Sequence, residues 1–288
     1  MDWIDTGAYR VPTNGRFHLS AQDPDPKGGG LSKSQAEQLT CEGVRRLAEL
    51  QNVLYADGRH GLLILLQATD AAGKDSTIKR VMSGVNPQGV KVYSFKQPSA
   101  DELSHNWLWR YSSRVPERGF IGIFNRSYYE EVLVVKVRDL IGQQRLPPEL
   151  LGDDLWKLRY EDINAFERHL TNNGITILKF FLNISKAEQR RRFLKRLNQP
   201  SRNWKFSSAD LRERDCWNEY QKAFEKMLNK ISSIHAPWYC IPMNQKRFGR
   251  LVVMKIIIEA LEAMNLSYPT LTAQQRAAID AAHQSISR

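Results

Sequence analysis

Apolar positions along the chain follow two alternating rhythms. LLILL at 62–66, FIGIF at 120–124 and ITILKFFL at 175–182 are short, nearly continuous apolar runs, the pattern of strands covered on both faces. Val90–Phe95 and Trp238–Ile241 are shorter runs of the same kind. Between them, apolar residues recur three or four apart, which predicts helices. The longest starts at Ser32, where Gln35 completes a capping box, and runs to about Asp57 with Leu39, Val44, Leu47, Leu50, Val53 and Leu54 along it. A helix over Gly73–Met82 is ended by Gly84 and Asn86-Pro87. Others are predicted over Asp101–Arg114, from Ser127, and over Trp156–Leu170, Lys186–Leu197, Ser208–Ile231 and Arg250–Ala263, with a break at Pro200–Phe206.

Strands alternating with helices imply an α/β fold, a three-layer sandwich with a central parallel sheet. Ligands of such folds bind beyond the carboxyl ends of the strands, so the loops after the first and third strands share one rim. Residues 1–31, with their DPDPKGGG cluster, read as an irregular N-terminal arm. Residues 32–264 read as a single domain with a lid at about 185–230, and 265–288 as a C-terminal tail with a surface helix beyond Pro269.

Composition narrows the setting. The 288 residues are 42% hydrophobic, and none of the apolar runs reaches the ~20 residues that span a bilayer. MDWIDTGAYR lacks the basic-then-apolar layout of a secretory signal. Cys41, Cys216 and Cys240 form no CxxC pair, as expected of reduced thiols in a cytoplasmic protein, and none is given a catalytic or metal role.

The net charge is +11, and between 185 and 205 eight basic residues face the single acid Glu188. A solvated helix face is the ordinary meaning of a charge run. Here the near absence of acids leaves repulsion poorly offset, which favours a bound polyanion: nucleic acid, a phosphate-rich ligand or an anionic surface.

LLILLQATDAAGKDST, at 62–77, has the layout of a phosphate-binding P-loop: buried strand, tight loop, then Gly73-Lys74 opening a helix. Ala68 takes the first glycine position, Asp70 lies inside the loop, and Asp75 follows the lysine in place of Ser or Thr. The third strand ends at Asn125, the place where a metal-anchoring carboxylate is usual, and Arg126 follows.

ATDAAGKDS, SFKQPS, ERGFIGIFNRSYYEEVLV, WKFSSADL and HAPWY, in this order, resemble the polyphosphate kinase 2 family, and FNRSYYEE is most similar to its class III. The similarity spans about residues 16–262, and the family's own loop is GxDxxGK. The resemblance implies a P-loop kinase-like fold with an Arg/Lys-rich helical lid, and magnesium-dependent transfer of phosphoryl groups between inorganic polyphosphate and AMP or ADP. Manganese is the alternative ion, and guanine the alternative base. It assigns catalysis to Asp70, Lys74 and Arg126, and the metal to Asp70 and Asn125. Phosphate and polyphosphate fall to Ala71, Ala72, Gly73, Asp75, Ser76, Lys96, Arg191, Arg192, Arg196, Arg202 and Lys205. Arg110, Arg118, Glu130 and Glu131 are candidates for the nucleotide, each with a surface, ion-pair or helix-dipole role as the plain alternative. Asp210 and Arg214 are expected to tether the lid. Asn218, Asn244 and Arg247 depart from the family pattern and are expected to lie away from the two loops.

A phosphate acceptor is largely ionised at neutral pH, its second pKa being about 6, so the chemistry calls for charge neutralisation rather than a strong base. Two other readings stay open on sequence grounds: an ATP-dependent nucleoside monophosphate kinase, and a non-catalytic P-loop protein binding RNA or polyphosphate. No membrane partner is expected, nucleic acid is disfavoured, and the amphipathic first helix offers a face for a homo-oligomer.

Overall fold

Each apolar run becomes a strand of a single sheet in the computed structural model, which describes residues 1, 3–26, 30–204 and 206–287 and omits the side chains of Arg202, Ser208 and Ala209. The strands are β1 Gly61–Gln67, β2 Val90–Ser94, β3 Ile121–Asn125, β4 Ile175–Asn183 and β5 Trp238–Pro242, in the order β2-β3-β1-β4-β5 and parallel throughout. The helices are α1 Lys33–Asp57, α2 Lys74–Val81, α3 Ala100–Ser104, α4 Trp109–Ser112, α5 Val134–Val137, α6 Leu155–Asn172, α7 Lys186–Leu197, α8 Pro200–Asn203, α9 Ser208–Asp215, α10 Trp217–Ile231, α11 Lys246–Ala263 and α12 Ala273–Ile286.

Side chains alternate across a strand, and here both sets are apolar. Leu62, Ile64 and Leu66 of β1 join the core formed with α1, α2 and α11, while Leu63 and Leu65 join the one formed with α6 and α10. The result is the expected three layers, with central β1 buried along its whole length. Full burial of each such side chain stabilises the fold by roughly 1.5–3 kcal/mol, so the strand that carries the loop is among the most firmly held. Gly43 lets α1 close on α11: a methyl group there would collide with Met254.

The segment after β3 is pinned from beneath by a buried polar cluster. Lys179 Nζ, on β4, donates to Glu167 Oε2 (2.6 Å), Tyr129 OH (3.0 Å) and the Ile231 carbonyl (2.7 Å). Tyr128 and Tyr129 both donate their hydroxyls to Glu167 Oε1. Burial pushes both phenols well above their usual pKa, so they remain donors at any physiological pH. Residues 3–26 carry short 3-10 turns, Thr6–Tyr9 and Leu19–Ala21, and are packed: the Val11 amide donates to the Trp238 carbonyl (2.8 Å), and those of Phe17 and Leu19 to Asn229 and Glu225 of α10 (2.8 Å each).

Four boundaries differ from the apolar periodicity. The helix expected over 101–114 is two short ones, because His105 is extended and the Asn106 side chain accepts the Leu108 amide in a turn. The stretch from Ser127 starts as a 3-10 turn, Tyr128–Val132, before α5. The helix over 208–231 divides at Cys216 into α9 and α10, and α11 starts four residues before Arg250.

Candidate active site

The carboxyl ends of β1 and β3 lie side by side, with Leu66 in register with Asn125 and Ser94 of β2 on its other flank. From that edge the loop 68–73 climbs and turns back into α2, whose N-cap Gly73 has φ +113°. Ala68 keeps an ordinary φ, so the missing first glycine distorts nothing; the left-handed residue is Ala71, at φ +62°. Arg126 is also left-handed, at φ +65°, and its amide donates to the Leu66 carbonyl (3.1 Å). A left-handed residue with a side chain costs on the order of 1–2 kcal/mol, and both stand at this rim.

Lys74 is buried, with Nζ on the carbonyls of Ala68 (2.9 Å) and Thr69 (3.4 Å). Burial lowers its pKa, and Arg126 adds to this against Asp70, Glu130 and Asp75. A phosphate beside it would favour its charged form. Arg126 Nη2 donates to Asp70 Oδ1 (2.7 Å), and Nη1 lies 3.6 Å from Glu130. Glu130 first, then Asp70, holds this guanidinium firmly charged. Asn125 Nδ2 donates to Asp75 Oδ1 (2.8 Å), which leaves the amide oxygen of Asn125 as the atom a cation can use.

Two cavities meet at the Asp70–Arg126 pair. The larger, about 1510 Å³, is lined by ten basic and four acidic residues. It gathers Asp70, Ala71, Gly73, Lys74, Asp75 and Ser76 of the loop and α2 with Lys96, Asn125 and Arg126. Arg191, Arg192 and Arg196 of α7 complete the set, while Ala72 is buried behind the loop. The smaller cavity, about 200 Å³, is lined by Glu130, Asp210, Glu213, Trp217, Tyr220 and Phe224 along with Asp70 and Arg126. One chamber is therefore cationic, the other acidic and aromatic.

Several candidates fall elsewhere. Arg118 precedes β3 and donates to the Asn173 carbonyl (3.3 Å), at the amino-terminal end of the sheet; it cannot reach a nucleotide held at the opposite edge. Arg110 is packed over the rings of Phe95 and Tyr111 and paired with Glu102 (3.3 Å). Glu131 is buried against Arg159 (3.0 Å) and Gln144 (2.8 Å), a structural pair; burial raises its pKa and Arg159 opposes that. Arg192 lines the cavity, but its nitrogens are taken up by Glu188 and by backbone carbonyls. Lys205 and the side chain of Arg202 lie outside the described residues.

The set of candidates drawn from the sequence also left out residues. Lys195 of α7, Lys79 of α2, and Lys246 and Arg247 of α11 line the large cavity. Lys246 Nζ comes within 3.7 Å of where a side chain on Gly73 would begin. Arg247, expected away from the loops, shares their chamber. The rule that sites lie beyond strand ends points to the turn after β5 as much as to the one after β1. In the lid, Asp210 pairs with Arg196 (2.8 Å), and Arg214 donates to the Lys186 carbonyl (2.9 Å) and Gln189 (2.8 Å), so both do tether it.

Among the described residues no three His, Cys, Asp or Glu side chains converge as a metal cage. Magnesium does not need one: it is commonly held by one or two carboxylates together with substrate phosphates and water. Asp70 and Asn125 line the same cavity as the loop and offer the oxygen donors that such an ion takes.

A parallel sheet whose central strand feeds a glycine-lysine loop under a basic lid defines a phosphate-handling protein of the P-loop type. The family model described as Polyphosphate kinase 2 matches residues 30–269. The chain belongs to that family. It is 48% identical over 275 residues to the ADP-polyphosphate phosphotransferase of Rhodopseudomonas palustris, covering 95% of each chain. To the AMP/ADP-polyphosphate phosphotransferase of Meiothermus ruber it is 46% identical over 263 residues, 91% of this chain and 94% of that one. The crystal structure of Polyphosphate Kinase 2 from Arthrobacter aurescens TC1 superposes with a TM-score of 0.86 at 36% identity, covering 96% of this chain and 97% of that one.

Proposed function

We propose that the protein is a polyphosphate-dependent nucleotide kinase that transfers the terminal phosphoryl group of inorganic polyphosphate to AMP and ADP. The observation that carries this reading is the excess of cations in the large cavity that gathers Gly73 and Lys74. A polyphosphate places about one negative charge on each phosphate, and a basic track holds it as other proteins hold a nucleic-acid backbone. The acidic, aromatic chamber suits the nucleoside, with Trp217 and Tyr220 available to an adenine ring. Asp70 and Arg126 stand between the two.

Transfer is a displacement at phosphorus. An acceptor phosphate oxygen bonds to the terminal phosphorus of the polymer, the bridging P–O bond breaks, and the shortened chain leaves as an oxyanion. Lys74 neutralises the group in transit, and Arg126 the charge that develops on it. Asp70 orients Arg126 and, with Asn125, would hold a magnesium or manganese ion, which supplies charge neutralisation between the two polyanions. Loop amides and lid cations hold the phosphates in line.

The test is direct. Protein incubated with magnesium, long-chain polyphosphate and AMP or ADP, without ATP, yields ADP and ATP on an anion-exchange column. Phosphorylation of AMP from ATP but not from polyphosphate would overturn the reading in favour of an ordinary nucleotide kinase.

A further inference from the structure

Helix α7 turns two buried polar side chains toward the back of the loop. Gln189 and Arg192, three residues apart, are 3% and 8% exposed. Gln189 Nε2 donates to the Asp70 carbonyl (3.1 Å), and Arg192 Nη1 to those of Ala71 (3.1 Å) and Ala72 (2.5 Å). Three successive carbonyls of the loop are thus held by one helix face. Arg192 Nη2 also donates to the carbonyls of Met243 and Asn244, fixing the turn that presents Lys246 and Arg247, while Nε donates to Glu188 (2.6 Å). Arg214 donates to Gln189 Oε1 (2.8 Å), which orients that amide.

A trans peptide points its N–H opposite its C=O. Carbonyls held toward α7 therefore turn the amides of Ala71 and Gly73 away from it, the orientation a phosphate cradle requires, while the Ala72 amide donates to the Thr69 carbonyl (3.4 Å) and closes the loop on itself. The contact also restrains Ala71 in its left-handed conformation. Only a planar fork with five donors serves four carbonyls and a carboxylate from one position, so lysine is no substitute for Arg192. The neighbouring face of the same helix carries Arg191, Lys195 and Arg196 into the cavity.

We infer that Gln189 and Arg192 are positioning residues for phosphoryl transfer: they set the direction of the loop amides and couple the root of the lid to the loop, and Arg192 is not part of the polyphosphate track. The inference rests on the proposed reaction for its kinetic readout. Arg192→Lys and Gln189→Met should each lower kcat, by about 10²-fold for Arg192→Lys as expected of a small misplacement, with the KM for polyphosphate changed less than about threefold. Guanidinium ion should restore part of the kcat of Arg192→Ala. A rise of about tenfold or more in that KM with kcat unchanged would make Arg192 a polyphosphate ligand and overturn the inference. Wild-type kcat in folded Gln189→Met would overturn it for that residue and leave no reason for the pair. Hydrogen exchange gives a readout independent of turnover: amides 71–73 should exchange faster in both variants than in the wild type, and equal rates would count against us even if the wild type transferred no phosphate.

Discussion

Lys74 is the residue whose surroundings are most demanding: a buried ammonium with Arg126 close by and two carbonyls as its hydrogen-bond partners. Replacing it by alanine removes the cation that the proposed reaction sets against the phosphoryl group, and we expect kcat to fall by about 10²–10³-fold with the melting temperature little changed. Steady-state turnover of AMP with polyphosphate checks this, and a near-normal rate would place the reacting phosphate elsewhere. Asp70, Lys74, Asn125 and Arg126 were legible in the sequence because their spacing within one loop and one strand end is itself the signal. Arg110, Arg118 and Glu131 were not, because charge alone does not say at which end of a strand or on which side of a helix it acts. Arg118 comes before β3 and Arg126 after it; five residues of strand separate a structural hydrogen bond from the catalytic rim. Arg192 carries a related ambiguity: a guanidinium that binds carbonyls and one that binds phosphate look the same in a list of charges, and only the structure shows its hydrogen bonds to the loop.

Elements carry the next set of expectations. The pair Lys179–Glu167 joins β4 to α6 beneath the FNRSYYEE segment, with both side chains fully buried. Lys179→Met leaves Glu167 uncompensated, and chemical denaturation should show a loss of about 3–5 kcal/mol. The pair is invisible in periodicity, since Lys179 interrupts an apolar run and Glu167 lies on a helix that looks amphipathic without it. At the end of α1, Asp57 has its pKa held well below the usual carboxylate range by Arg59 first, and by His60. A depressed pKa stabilises the fold above the unfolded value of about 3.9, and the contribution is lost as pH falls through the lower folded value. Asp57→Asn should therefore melt lower than the wild type at pH 7, with the gap closing below about pH 4. An unchanged gap at pH 3 would show that Asp57 does not act through its charge. Helix starts proved harder to read than strands. α11 begins at Lys246 with no side-chain cap, and α3 and α4 separate at His105 where periodicity runs on.

For the whole molecule, the charge of +11 matters where the fold concentrates it. The KM for polyphosphate should rise steeply with salt while the KM for AMP rises less, because counterion release scales with the number of phosphates held. Arg247→Gln, at the start of α11 in the same cavity, should raise the KM for long chains several-fold and weaken that salt dependence; equal effects on polyphosphate and AMP would sink this assignment. Among the described residues no helix is long and apolar enough to cross a membrane. By itself the sequence determined the layered fold and the loop, and it singled out Asp70, Lys74, Asn125 and Arg126, which the fold brings to one cavity. Apolar runs and tight turns are local instructions, readable wherever the neighbouring residues set the backbone. Only the tertiary structure decided which of the many cations line the cavity over the loop, which hold the loop, and which lie at the far end of the sheet. That choice depends on where strands end and which helix face meets which carbonyl, and these contacts join residues as far apart as Ala71 and Arg192.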